Sequence, residues 1–111
     1  MDMVNMMNMI KRIVWDRQES FKNKLDMTCN WDYQDYIIAM NSKLGTINDM
    51  VKMINLDKIS FYDANNKFKD LFGDLFIYLF IMCNVLNMEP FKILQNSFNK
   101  KSKEINCDVI L

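Results

Sequence analysis

Two glycines and a single proline leave this 111-residue chain few places to turn. Between those places its apolar residues recur every three or four positions, the period of a helix packed along one side. The chain is therefore read as all-α: one helical domain spanning residues 1–111, built from four helices. The first is expected from about Asp2 to Leu25, with Met3, Met7, Ile10, Val14, Phe21 and Leu25 turned inward and Lys11, Arg12, Asp16, Arg17 and Glu19 on a solvated face. Asp26 to Asp32 reads as a connection. A second helix follows from Tyr33 to Ile54, its inner stripe Tyr33, Ile37, Met40, Leu44, Ile47, Val51 and Ile54. After a break at Asn55 to Ser60, a third runs to about Asn87. Pro90 then opens a fourth, in the first turn where its missing N–H costs nothing. That helix extends to about Lys103 and is expected to bury Phe91, Leu94 and Phe98, leaving Ile105, Val109, Ile110 and Leu111 as an apolar tail.

The third helix contains nine unbroken apolar residues, Leu75 to Cys83, and so is expected to be the central and most enclosed element. The run falls short of the ~20 residues a bilayer crossing takes, so no membrane span is expected. Asp74 stands at its start. An ionised carboxylate on an enclosed helix needs a metal, a cation or water to offset its desolvation.

Composition narrows the chemistry. Histidine is absent, and Cys29, Cys83 and Cys107 form no C-x-x-C pair, which removes zinc sites, imidazole acid–base catalysis and Ser-His or Cys-His triads. What remains is carboxylates, lysines or a metal held by oxygen. Fourteen Lys+Arg balance fourteen Asp+Glu, so bulk charge gives no nucleic-acid-binding face. Unpaired thiols and the lack of a signal peptide place the expected location in the cytosol or a comparable reducing compartment. Eleven Met and eight Phe suit a core, and equally a surface that repacks against a partner.

Several segments, in order, resemble one family. Trp31-Asp32-Tyr33 followed by Ile37-Ile38-Ala39-Met40 is similar to a Trp preceding an apolar helix that enters an E-x-x-E segment, and Lys43-Leu44-Gly45-Thr46 stands where that segment belongs. Asp70-Leu71-Phe72-Gly73-Asp74-Leu75 resembles an E-E-L-G/A-D motif, Leu86-Asn87-Met88-Glu89-Pro90 an L-G-I-D-P turn, and Phe98-Asn99-x-x-Ser102 an F-N-x-x-S tail. These are the marks of the MazG-like all-α nucleoside triphosphate pyrophosphohydrolases. The resemblance covers nearly all of the chain after Met9. It implies a four-helix bundle completed by dimerisation, and hydrolysis of a (d)NTP to a monophosphate and pyrophosphate. In that chemistry four acids on two helices hold Mg²⁺, which neutralises phosphate charge and activates a water.

This chain departs from the pattern at the ligand positions. The acids of the first motif fall on Lys43 and Thr46, the first ligand of the second on Leu71, and only Asp74 persists. The expectation is a catalytically impaired relative, a pseudoenzyme acting as a binding or structural subunit in a homodimer or larger assembly, with no cofactor. Lys43 is expected to supply the lost cation, pairing with Asp74 across the facing helices. The alternative is a working enzyme in which Asp49, Asp70 and Asp74 hold one Mg²⁺. Two further positions stay open. Trp31 either stacks on a base or staples its helix entrance, and Asn99 with Lys100, Lys101 and Lys103 either meets phosphates or complements the helix dipole.

Overall fold

The computed structural model describes residues 2–24 and 31–111. Four helices follow in order: α1 Met3–Lys24, α2 Tyr33–Asn55, α3 Phe61–Val85 and α4 Pro90–Glu104. Leu25, Cys29 and most of the expected connection before Asp32 lie outside the described residues.

Local chemistry sets the helix ends. Asp32 caps α2, its carboxylate accepting from the N–H groups of Gln34 and Asp35 while Asp35 accepts from the Asp32 N–H at 2.9 Å. That reciprocal box satisfies donors the helix cannot. Ser60 does the same for α3 through the Asp63 N–H. At the other ends, Asp57, Asn87 and Asn106 adopt positive φ of 57°, 54° and 55°. The next residue in each case donates five residues back, Lys58 to Met53, Met88 to Cys83 and Cys107 to Ser102. These are Schellman endings made with Asn or Asp in the place glycine usually fills. Both glycines instead lie inside helices, Gly45 in α2 and Gly73 in α3.

α3 packs against both α1 and α2, and α4 packs on α1. No comparably packed α2–α4 pair closes the ring among the described residues. The core is small: Tyr36, Met50, Ala64, Ile81 and Cys83 are its buried apolar residues. Tyr36 is wholly enclosed, ringed by Trp31 and Tyr78 at centroid distances of 5.3 and 6.3 Å, with its hydroxyl accepting from Gln18 Nε2. Among the described residues no single helix is long and apolar enough to cross a membrane.

Several inward assignments are corrected by this packing. On α2 the face turned to α3 is Tyr36, Met40, Lys43, Ile47, Met50 and Ile54, while Tyr33, Ile37, Leu44 and Val51 are exposed. The two stripes lie side by side, and Lys43 interrupts the inner one, which drew the periodic reading onto its neighbour. On α1, Met3, Ile10 and Phe21 are exposed, and on α4 so are Leu94 and Phe98. α3 is central but not enclosed, because Phe72, Phe76 and Leu79 remain about half exposed. An apolar residue needs a neighbour on its side to be buried, and four helices in this open arrangement do not supply one everywhere.

Tyr36 is the residue on which this core turns. Tyr36→Ala is expected to cost about 3–5 kcal/mol, as large-to-small changes in a packed aromatic site do, whereas Tyr36→Phe, which removes only the hydroxyl bonded by Gln18, should cost about 1 kcal/mol. Urea unfolding followed by far-UV circular dichroism measures both.

Candidate functional site

α2 and α3 run antiparallel, so residues ascending one helix meet residues descending the other: Tyr36 lies against Tyr78, and Lys43 against Asp74. Midway along this seam a cleft of about 300 Å³ opens, lined by Lys43, Thr46, Lys67, Asp70, Leu71 and Asp74 among others. The residues that the resemblance aligns with ligand positions, Lys43, Thr46, Leu71 and Asp74, are therefore gathered in one place, with Asp70 beside them. Residues three or four apart on a helix share a face, which is why motif spacing alone predicted the convergence.

The Lys43 ammonium stands 3.2 Å from Asp74 Oδ2. The expected pair is formed. It is not buried, however: the two side chains keep 35 % and 43 % of their exposure, so Asp74 meets its desolvation with both a cation and water. An ion pair this open contributes at most about 1 kcal/mol. The Thr46 hydroxyl donates to the Ser42 carbonyl one turn back at 3.2 Å, and is thus occupied within its own helix. Lys67 brings a second ammonium into the cleft.

This donor set does not fit Mg²⁺. The cleft offers two carboxylates against two ammoniums, with Leu71 and an engaged hydroxyl in the remaining positions. Asp49, the third acid of the alternative set, is exposed and is not among the residues lining the cleft. Among the described residues no group of three or more Asp, Glu or Cys side chains is gathered for a metal ion.

A second cavity, of about 260 Å³, shares Asp74 with the first and is lined by Arg17, Phe21, Trp31, Tyr36 and Tyr78. Trp31 meets Tyr36 edge-on, and Arg17 lies over the Phe21 ring at 5.2 Å. Sequence reading assigned Arg17 to a solvated face and left Tyr36 unremarked. The Arg17–Phe21 spacing of one helical turn was the available signal. Burial pushes the Tyr36 phenol above its ordinary pKa, partly offset by the Gln18 hydrogen bond. Burial likewise pushes up the Cys83 thiol.

Asn99 and Lys100 are not at either cavity. Asn99 instead clasps the end of the chain, its Nδ2 donating to the Leu111 carbonyl at 3.1 Å and its Oδ1 accepting from the Leu111 N–H at 2.8 Å, while Gln95 Nε2 donates to the same carbonyl. Lys100 is exposed on α4. The L-G-I-D-P-like turn also has a structural use: Glu89 pairs with Lys92 at 2.7 Å and accepts from Asn8 of α1. The hydrogen bond and charge of Lys92 hold the Glu89 carboxyl below its usual pKa.

Two measurements probe this geometry. A double-mutant cycle with Lys43→Ala and Asp74→Ala should return a coupling of about 0.3–1 kcal/mol that shrinks with added salt, as exposed pairs do. Asn99→Ala should free the strapped segment, read as at least a tenfold rise in hydrogen exchange at the Leu111 amide, with exchange in α3 unchanged. Compared with family models, with curated proteins and with solved structures, the chain matches none.

Proposed function

We propose that this chain is a degenerate MazG-like protein that works as a binding or structural subunit, its former metal cleft closed by an ion pair. The observation that carries the reading is the Lys43–Asp74 contact of 3.2 Å at the positions where the resemblance puts metal ligands. A lysine among ligands both removes a donor and repels the ion. At about 4 Å and an effective dielectric of 20, two unit charges interact by about 4 kcal/mol, and a divalent ion roughly doubles this. The exchange is self-consistent, because the one acid retained is the one the new cation neutralises. Fold likeness does not carry an activity once the site's chemistry has changed.

The competing reading, a Mg²⁺-dependent pyrophosphohydrolase acting on a (d)NTP, has lost its third acid with Asp49 outside the cleft. A narrower second reading has an observation in its favour. The aromatic cavity of Trp31, Tyr36 and Tyr78 adjoins the cleft holding Lys43 and Lys67. Rings beside cations suit a nucleotide bound without metal, base on the aromatic side and phosphates toward the ammoniums.

Incubated with a panel of nucleotides and Mg²⁺ or Mn²⁺, the chain is expected to release no pyrophosphate. The triple variant Lys43→Glu, Thr46→Glu, Leu71→Glu rebuilds four acids around the cleft and is expected to take up Mn²⁺ stoichiometrically by calorimetry, where the natural chain does not. Pyrophosphate release by the natural chain, abolished by Asp74→Ala, overturns the proposal.

A further inference from the structure

Between α3 and α4 the chain swings through 104°. The two helices spread from that corner and, with Met7 of α1, frame a wedge of about 360 Å³. Its inner end is Cys83 and Pro90, both buried. Its mouth is Phe76, Leu79, Ile93 and Leu94, which keep 43–64 % of their exposure. No charged residue lines the wedge, and apart from the Cys83 thiol and the Ser97 hydroxyl its lining is apolar. Burial holds that thiol above its ordinary pKa against the pull of Lys11, so the inner end stays uncharged.

The α4 wall changes character along its length. Residues three or four apart share a helix face, so the row of Pro90, Ile93, Leu94 and Ser97 continues into Lys100 and Lys101, both exposed. Lys101 meets Glu104 at 3.9 Å, whereas Lys100 makes no ion pair among the described residues. The order along the wall is therefore apolar, hydroxyl, ammonium. The end of the chain leaves this row open, since Leu111 is held by Gln95 and Asn99 on the opposite side of α4.

From this order we infer that the α3–α4 wedge binds a free fatty acid of medium chain length, its tail against Cys83 and its carboxylate toward Ser97 and Lys100. The inference stands apart from the proposed function. Volume sets the chain length: an apolar cavity of about 150 Å³ takes one benzene, and this one has room for about twice as many carbons, roughly twelve. Charge selects the head group. An ammonium at the end of an apolar row complements an anion, and a cationic amphiphile is repelled there. A two-chain lipid carries more hydrocarbon than the wedge holds. A second copy of the chain brings no acid from the α3 side, because residues 75–88 carry no charge.

Calorimetric titration of the full chain with fatty acids below their micelle-forming concentrations tests the inference. One equivalent of dodecanoate is expected to bind, and from octanoate to dodecanoate the affinity should rise about fourfold per methylene. Decan-1-ol should bind about tenfold more weakly than decanoate. Lys100→Gln should erase that preference and leave the affinity for the alcohol unchanged, a result that a lysine serving only the helix dipole would not give. Leu94→Gln should weaken both ligands by about tenfold. Because that variant can also disturb α4, carbene footprinting of the unaltered chain supplies an independent readout: dodecanoate is expected to protect Leu79 and Leu94 and to leave Ile38 of α2 labelled as before. Absence of dodecanoate binding overturns the inference, as do equal affinities for decanoate and decan-1-ol, or binding that leaves the labelling of Leu79 and Leu94 unchanged. Capture of the chain by phosphatidylcholine–phosphatidylglycerol vesicles in preference to the soluble acid overturns it too. So does protection of Leu94 that grows with chain concentration in the absence of ligand, which places a second copy in the wedge.

Discussion

The seam between α2 and α3 is the contact from which the other features follow. Its apolar part is Tyr36 against Tyr78, which holds the helices together but specifies their alignment loosely, since one ring accepts several neighbours. The polar part is Lys43 on Asp74. Sliding one helix by a turn, about 5.4 Å, separates that pair. The alignment that forms it also gathers the motif positions into a single cleft.

A cleft rich in carboxylates repels itself, and without a bound cation it pushes its two helices apart. Here Lys43 and Lys67 stand with Asp70 and Asp74, so the seam closes on balanced protein charges. Partial exposure keeps the pairing inexpensive, because neither ion gives up its water fully.

Helix boundaries were largely legible in the residues. Asp32 with Asp35, Ser60 with Asp63, and Pro90 are local signals, and each helix begins where they say it does. Helix faces were not. Both α1 and α2 carry polar residues within their inward stripes, Gln18 on α1 and Lys43 on α2, and a periodic reading shifts away from such residues to an adjacent apolar row. The meeting of Lys43 with Asp74 was nevertheless foreseeable, because it followed from complementary charge at matching motif positions and needed no judgement about burial. Asn99 shows the opposite case. Its place in a tail motif suggested phosphates, yet nothing local to Asn99 reveals that Leu111 returns to its amide.

What the sequence by itself determined is therefore what short-range chemistry controls: four helices, their caps and breaks, and the opposite charges of Lys43 and Asp74. Only the tertiary structure decided which stripe of each helix is covered, that Asp49 does not line the cleft holding Asp70 and Asp74, and that Trp31, Tyr36 and Arg17 share a cavity with Asp74. Burial is a property of pairs of elements. A helix carrying two adjacent apolar stripes holds no local information about which of them meets a neighbour first.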